Sequence, residues 1–379
     1  MGFFSKKKNI SYALINIDSA SIGGGLAYIP EGATPILYFT ERRNIEPKEH
    51  EDVVEAMIRT VEEVTDSLMK KGAPALRKET GNGHVDKILV SIGAPWQKTS
   101  IRIETISEKK PFSFTKALLA DTIRNVVEIP KGFRKSGESV LATLLNGYNT
   151  PNPFGMKVSR AEMIILSSLV DSDVADKVEN VLRKTYHTHA LTITAFAPLA
   201  YSVFKNIYPH ETDFLVLQIS GEATDIAFVK HGLLVNVASI THGVNDLMRN
   251  LDMAAKVADN ETHESVNLLD SSRNERFSKN ADEAKKTWLL NIIETLRGFS
   301  TSYALPHTLF LLADAEVRDY LKNALDSQTV RVLWLTDDPL RVIATTPSHF
   351  TNFVKTRGDA EVDIHLEMLA LFSKEPGSK

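Results

Sequence analysis

Side chains able to do chemistry are sparse along the 379 residues. The chain has no cysteine, which removes thiol catalysis, disulfides, zinc fingers and iron–sulfur ligation together. His187-Thr188-His189 would put two imidazoles on one face of an extended segment, the start of a metal site. No third ligand lies nearby, so a surface pair is the expectation and no metal site is predicted. Two short polar turns between apolar runs are the other candidates. One is Asp18-Ser19-Ala20-Ser21, followed by Gly23-Gly24-Gly25, and the other is Ser220-Gly221-Glu222. On its own, Asp18 reads as a turn residue that accepts hydrogen bonds from its own backbone. His242-Gly243 reads as a turn as well. No Gly-x-Ser-x-Gly, His-Glu-x-x-His or Walker sequence occurs, so hydrolase, zincin and P-loop chemistry have no support. No catalytic residue is predicted.

The elements that must position these turns can be read from hydrophobic spacing. Residues 10–17 form a strand, 26–29 a second after the glycines, and 36–39 a third. An amphipathic helix follows over 50–71, ended by Gly72 and Pro74, with 76–83 as a loop. A strand at 87–92 leads into a unit of strand 99–106, helix 114–127 and strands 139–148 and 160–170. Helices at 174–182 and 198–207 flank a strand at 191–194. A second meander then begins at Asp213, with strands up to 228 and over 233–240. Residues 252–282 are charge-rich and peripheral. Helices 288–299 and 317–325 surround a buried strand at 308–312, and a short strand is expected at 331–335. Residues 341–360 are weakly patterned, and a helix over 362–372 closes the fold. Strand meander plus helices, occurring twice, implies two related α/β halves.

Composition narrows the partners. Lys plus Arg total 44 and Asp plus Glu 48, a net charge of −4, which argues against nucleic acid. No apolar run reaches the ~18 residues of a spanning helix. The opening Met1-Gly2-Phe3-Phe4-Ser5-Lys6-Lys7-Lys8 lacks a signal-peptide core and is expected to be flexible, with at most peripheral membrane contact. Lys109-Lys110 and Arg42-Arg43 read as solvated faces.

Two halves opening with strand–turn–strand, plus the inserted unit, resemble the actin-like ATPase superfamily, specifically its FtsA/PilM branch. Asn152-Pro153-Phe154-Gly155-Met156 is similar to a step in that branch's inserted subdomain, and Thr224-Asp225-Ile226-Ala227-Phe228 to its second phosphate strand. Thr241-His242-Gly243-Val244-Asn245-Asp246-Leu247 resembles the start of the following helix, and the basic opening segment resembles that of many PilM-like chains. The resemblance implies an α/β, actin-like fold of two related halves around a cleft, with an inserted strand-helix-strand-strand subdomain. Its expected divisions are a flexible start at 1–9, a first half over 10–97 with a return at 173–211, the inserted unit over 98–172, and a second half over 212–379. A small peripheral subdomain is expected near 245–300.

The resemblance also implies a ligand, ATP with Mg²⁺, held by backbone amides of glycine turns with an aspartate on each side. Carried over residue by residue, the cofactor-binding positions are Asp18, Ser19, Ser21, Ser220, Gly221, Thr224, Asp225, Gly243 and Ala313. The match is degraded. Ala20 replaces a glycine, Gln218 an aspartate, and Ala313-Asp314 a glycine pair. Glu222 would set an anion against phosphate, a repulsion of roughly 1–4 kcal/mol at ~4 Å. Gly23-Gly24-Gly25 is the remaining source of a phosphate turn. Hydrolysis is therefore expected to be lost or very slow. The expectation is a cytoplasmic adaptor at the inner face of the cell membrane, with weak or vestigial ATP binding. It would bind a membrane-complex protein or its cytoplasmic peptide, with a homo-oligomer or filament as a further expected assembly. The short segment after residue 372 favours the PilM (type IV pilus) type. The alternative is an FtsA-type ATP switch that tethers the division ring. A sugar-kinase relative is a weaker third reading.

Overall fold

The computed structural model describes residues 9–124, 129–247, 275–334 and 340–374. Its frame is two sheets built on one plan. The first half contributes β1 (Ile10–Ile17), β2 (Ser21–Ile29), β3 (Ile36–Asn44), β4 (Lys87–Ile92) and β9 (Leu191–Ala195), in the order β3-β2-β1-β4-β9. The second contributes β10 (Phe214–Ile219), β11 (Thr224–Lys230), β12 (Leu233–Ile240), β13 (Thr308–Leu312) and β14 (Arg341–Ala344), in the order β12-β11-β10-β13-β14. In each, three antiparallel strands are followed by two parallel ones. A late strand, β15 (Lys355–Asp359), joins the outer edge of β3 in the first sheet.

Helices fill the layers around these sheets: α1 (Val53–Ser67), α2 (Ala73–Thr80), α3 (Lys116–Arg124), α4 (Ser172–Tyr186), α5 (Phe196–Ile207), α6 (Glu275–Ser300), α7 (Ala315–Leu325), α8 (Gln328–Arg331) and α9 (Ile364–Phe372). Strand alternation sorts the side chains by layer. Tyr12 and Leu14 of β1, with Phe214 and Val216 of β10, face a shared core that contains α5 and α9. Ala13, Ile15 and Ile17 face α1 and α4, and Leu215, Leu217 and Ile219 face α6 and α7. Both faces of each central strand are buried, which is why these runs read as continuously apolar. Between β4 and α4 lies a four-stranded sheet of β5 (Gln97–Ser113), β6 (Phe133–Leu145), β7 (Tyr148–Asn149) and β8 (Lys157–Asp171), in the order β5-β8-β6-β7. Helix α3 accompanies it, with a small core of its own around Phe114 and Met163.

Four local readings change. β2 runs unbroken through Gly23-Gly24-Gly25, so this run is no phosphate turn. The missing side chains make room for neighbours instead. A Cβ on Gly24 would lie 2.3 Å from Val64 Cγ1, and one on Gly23 would lie 2.4 Å from Arg42 Nη2. Of the loop expected at 76–83, residues 76–80 are helical, as part of α2. Pro74 sits at the helix start, where no amide is needed, and Gly81 ends it in the left-handed region at φ 79°. A π-helical turn at Leu68–Gly72 links α1 to α2. The strand expected at 331–335 is absent over 331–334. Val330 and Arg331 amides instead donate to Ser327 O and close a helical turn. The weakly patterned 341–360 contains β14 and β15, and the charge-rich reading of 252–282 falls mostly outside the described residues.

Candidate functional site

The β1–β2 and β10–β11 turns meet where the two halves face each other. In the first turn, Asp18 Oδ1 accepts from the amides of Ala20 (2.8 Å) and Ser21 (2.9 Å), and Oδ2 from Ser21 Oγ (3.3 Å). A short acidic side chain after a strand does this readily, because it mimics the next turn of backbone. The second turn folds on itself through Ser220 N to Ala223 O (2.9 Å). The two turns touch directly. Ser19 Oγ and Ser220 Oγ lie 2.9 Å apart, and Ser19 Oγ accepts from Glu222 N at 2.8 Å. A Cβ on Gly221 would stand 2.5 Å from that of Ala20.

The helical turn that begins at Val244 closes the site from the second half. Val244 N donates to Ser220 O (2.9 Å) and Asn245 N to Gly221 O (2.7 Å), while Asn245 Nδ2 donates to Glu222 Oε1 (2.8 Å). Gly243 is required by this contact, since a Cβ would fall 2.3 Å from Ser220 O. Thr224 Oγ1 donates to His242 O (2.7 Å) and accepts from the Trp288 indole (3.1 Å), fastening the hairpin to α6. Asp225 is buried and accepts from Ser239 Oγ, Gln97 Nε2 (3.4 Å) and Ala94 N (3.5 Å), the last two reaching it from the first half. Burial raises its carboxyl to about 6 despite those donors, with the Asp18 charge adding to the rise. The cavity beside it measures about 10 Å³, room for one water. Ala313 is buried at the end of β13, in the second half's core.

A residue read as a solvated face completes the cluster. The Arg42 guanidinium on β3 grips Asp363, the N-cap of α9, through two bonds (2.8 and 3.1 Å). It also donates to Ser21 Oγ (2.8 Å) and Asn16 Oδ1 (3.0 Å), and lies 3.6 Å from Asp18. Burial works against its charge, but Asp363, then Asp18 and Asp314, outweigh that and raise its pKa. Burial likewise works against the Asp363 carboxylate, which Arg42 nevertheless holds at about 2. Burial and Arg42 lower the pKa of His365 alongside. Gly23 stands opposite Arg42 in the sheet, and its missing side chain leaves the guanidinium its space, a pairing that no local sequence signal marks. Arg43, its neighbour, does lie at the surface with Glu41 and Glu63.

Eight of the nine nominated positions thus lie in the two turns, the strands that carry them and the segment against them. Ala313 stands apart in the core, although its neighbour Asp314 acts on Arg42. In this arrangement the residues do not fit a triphosphate with Mg²⁺. The amides of Ala20, Ser21, Ser220, Glu222, Val244 and Asn245 are committed within the protein, and Asp18 faces a fixed cation in Arg42. His187 closes α4 in the left-handed region at φ 54°, and the HxH segment precedes β9, so the one-face metal pair is not formed. Among the described residues no group of three or more His, Asp and Glu side chains is placed to hold a metal.

No protein-family profile and no curated protein sequence matches the chain. Solved structures do. A chain of the PilM-PilN type IV pilus biogenesis complex aligns over 97% of this chain and 99% of that one, with a TM-score of 0.61 at 13% identity. A Bacteroides thetaiotaomicron protein with an actin-like ATPase fold aligns over 99% and 100%, with a TM-score of 0.44 at 11% identity. EutJ, an ethanolamine utilization protein from Carboxydothermus hydrogenoformans, aligns over 96% and 90%, also at 0.44 and 11%. The chain has the actin-like fold, in the form similar to that of the PilM-PilN chain.

Proposed function

We propose that this protein is an actin-like adaptor for a membrane-associated assembly, of the PilM type, and that it works through protein contacts rather than ATP turnover. The observation that carries this reading is the closed contact of Ser19 with Ser220, backed by Arg42 at Asp18. The place for a partner is a groove of about 170 Å³ between residues 136–139 of β6 and residues 192–194 of β9, floored by Leu166, Pro198 and Phe372. β9 is the outermost strand of its sheet, and β6 pairs with β7 only at residues 144–145. Two open strand edges facing one apolar floor suit an extended peptide that adds as a strand. The occupant we propose is a cytoplasmic segment of a membrane-complex subunit, which places the adaptor in the cytoplasm at the inner face of the membrane. Among the described residues no helix is long and apolar enough to cross a membrane.

The second reading, an ATP-binding switch of FtsA type, is favoured by the gathering of Asp18, Ser21, Thr224, Asp225 and Gly243 at one place. It requires the two turns to part. Calorimetric titration of Mg²⁺-ATP decides between them. The adaptor reading expects a dissociation constant weaker than about 1 mM, near −4 kcal/mol. Binding at about 1 μM, worth roughly −8 kcal/mol, favours the switch.

A further inference from the structure

The inserted sheet is held to the first half at one end, where Asp171 N donates to Trp96 O (2.8 Å) and Gln97 pairs with Val170. β5, β6 and β8 run away from there, and β6 carries the chain roughly 20 Å from Ser139 in the groove to Leu145, at ~3.4 Å per residue. The far end is made by two stretches, 108–116 and 146–157. They are joined by Phe114 N to Met156 O (2.9 Å) and Gly155 N to Phe114 O (2.8 Å). Both carry apolar side chains in the open: Tyr148 is 79% exposed, Phe154 45% and Met156 46%. Phe154 and Met156 flank Gly155 in a tight turn, Met156 N to Pro153 O (3.3 Å), and Tyr148 follows the Asn146-Gly147 turn between β6 and β7. A Cβ on Gly147 or Gly155 would meet nothing within 4 Å, so both turns project into open space.

The same two stretches contain Lys109, Lys110, Lys116 and Lys157, all exposed, against one carboxylate, Glu108. Among the described residues none of these lysines pairs with a carboxylate, and Lys116 Nζ lies 5.7 Å from the centre of the Phe154 ring. In a chain of net charge −4, this end is opposite in sign to the remainder. Shape and charge together select the partner. Large apolar groups on convex turns offer no groove for a protein side chain, and they meet a flat, deformable surface first. Aromatic and methionine side chains beside lysines suit the boundary of a bilayer, where the apolar groups enter the acyl region and the ammonium groups stay in water. The lysines call for anionic headgroups, each adding about fivefold to affinity.

We propose that the far end of the inserted sheet docks on an anionic phospholipid surface, with Tyr148, Phe154 and Met156 entering the interface and the lysines at its headgroups. The contact goes beyond the adaptor reading and shares no residue with the groove, so vesicle binding and peptide binding succeed or fail separately. The test is co-sedimentation of the full chain with vesicles of phosphatidylcholine, alone or mixed with phosphatidylglycerol. Binding to the mixed vesicles is expected, about tenfold or more tighter than to phosphatidylcholine alone. Lys116→Glu with Lys157→Glu should weaken it by about tenfold or more. Phe154→Ser with Met156→Ser should do the same, and Tyr148→Ser, which removes the most exposed of the three side chains, should cost about threefold. Phe3→Ser with Phe4→Ser, in the other segment that joins aromatics to lysines, should leave binding within about twofold. No binding to the mixed vesicles overturns the proposal, as does binding that is lost in the Phe3 and Phe4 variant and kept in the Phe154 and Met156 variant. Binding that the lysine reversal abolishes while both tip apolar variants retain it also overturns it, and points to a polyanionic macromolecule instead.

Discussion

At the scale of residues, the site is decided by who neutralises whom. Arg42 is the counter-ion of Asp363 and Asp18 and supplies in fixed form a cation beside Asp18. Arg42→Ala leaves Asp363 buried and unpaired, and the expected loss is about 3–5 kcal/mol in denaturant unfolding. Arg42→Lys should recover only part of it, because an ammonium cannot hold both carboxylate oxygens in a fork. Asp225 carries the opposite lesson. Its folded pKa, about 6, lies above the ordinary 3.8, so the folded state holds its proton more tightly. The stability this confers is complete below about pH 4 and is lost as pH rises through about 6. Asp225→Asn should therefore gain on the wild type by roughly 3 kcal/mol between pH 4 and pH 7, at 1.36 kcal/mol per unit. A gap between the two unfolding curves that is the same at both pH values would refute the assignment.

Elements explain which surfaces remain available. The meander strands are covered on both faces, while β9 and much of β6 keep one open edge each. An open edge invites pairing unless something blocks it. Ser139 and Thr192 are exposed residues of those edges, so an arginine at either fills the groove without disturbing the core. Ser139→Arg and Thr192→Arg are each expected to weaken binding of the proposed peptide by about tenfold or more, and to leave the unfolding midpoint within a small margin. Fluorescence anisotropy with labelled peptides from candidate membrane subunits is the measurement. Peptide affinity unchanged by both substitutions would remove the groove as the docking place. The elements also account for the misread stretches. Pro74 at a helix start and the helical turn at 328–331 involve few residues, and a short apolar run has no period of its own to separate helix from strand.

For the whole molecule, the question is whether the two halves move apart in use. The adaptor reading needs no opening. The chain has no cysteine, so Ser19→Cys with Ser220→Cys offers a clean cross-link across the 2.9 Å contact. Oxidation of that pair is expected to leave peptide affinity unchanged, because the groove lies within the first half and its inserted sheet. Loss of peptide binding on oxidation, restored by a reductant, would instead mean that the adaptor works by opening.

The sequence by itself determined the duplicated meander and the positions of the two turns. These are local properties: strand periodicity, turn chemistry and residue identity are written in consecutive residues. Only the tertiary structure decided that the turns close on each other and that Gly23 exists to admit Arg42. Asp363 lies more than three hundred positions from Arg42, and Ser220 about two hundred from Ser19. No spacing rule spans such distances. Those pairs are chosen by packing, which brings together groups whose charge or shape is satisfied only in the folded chain.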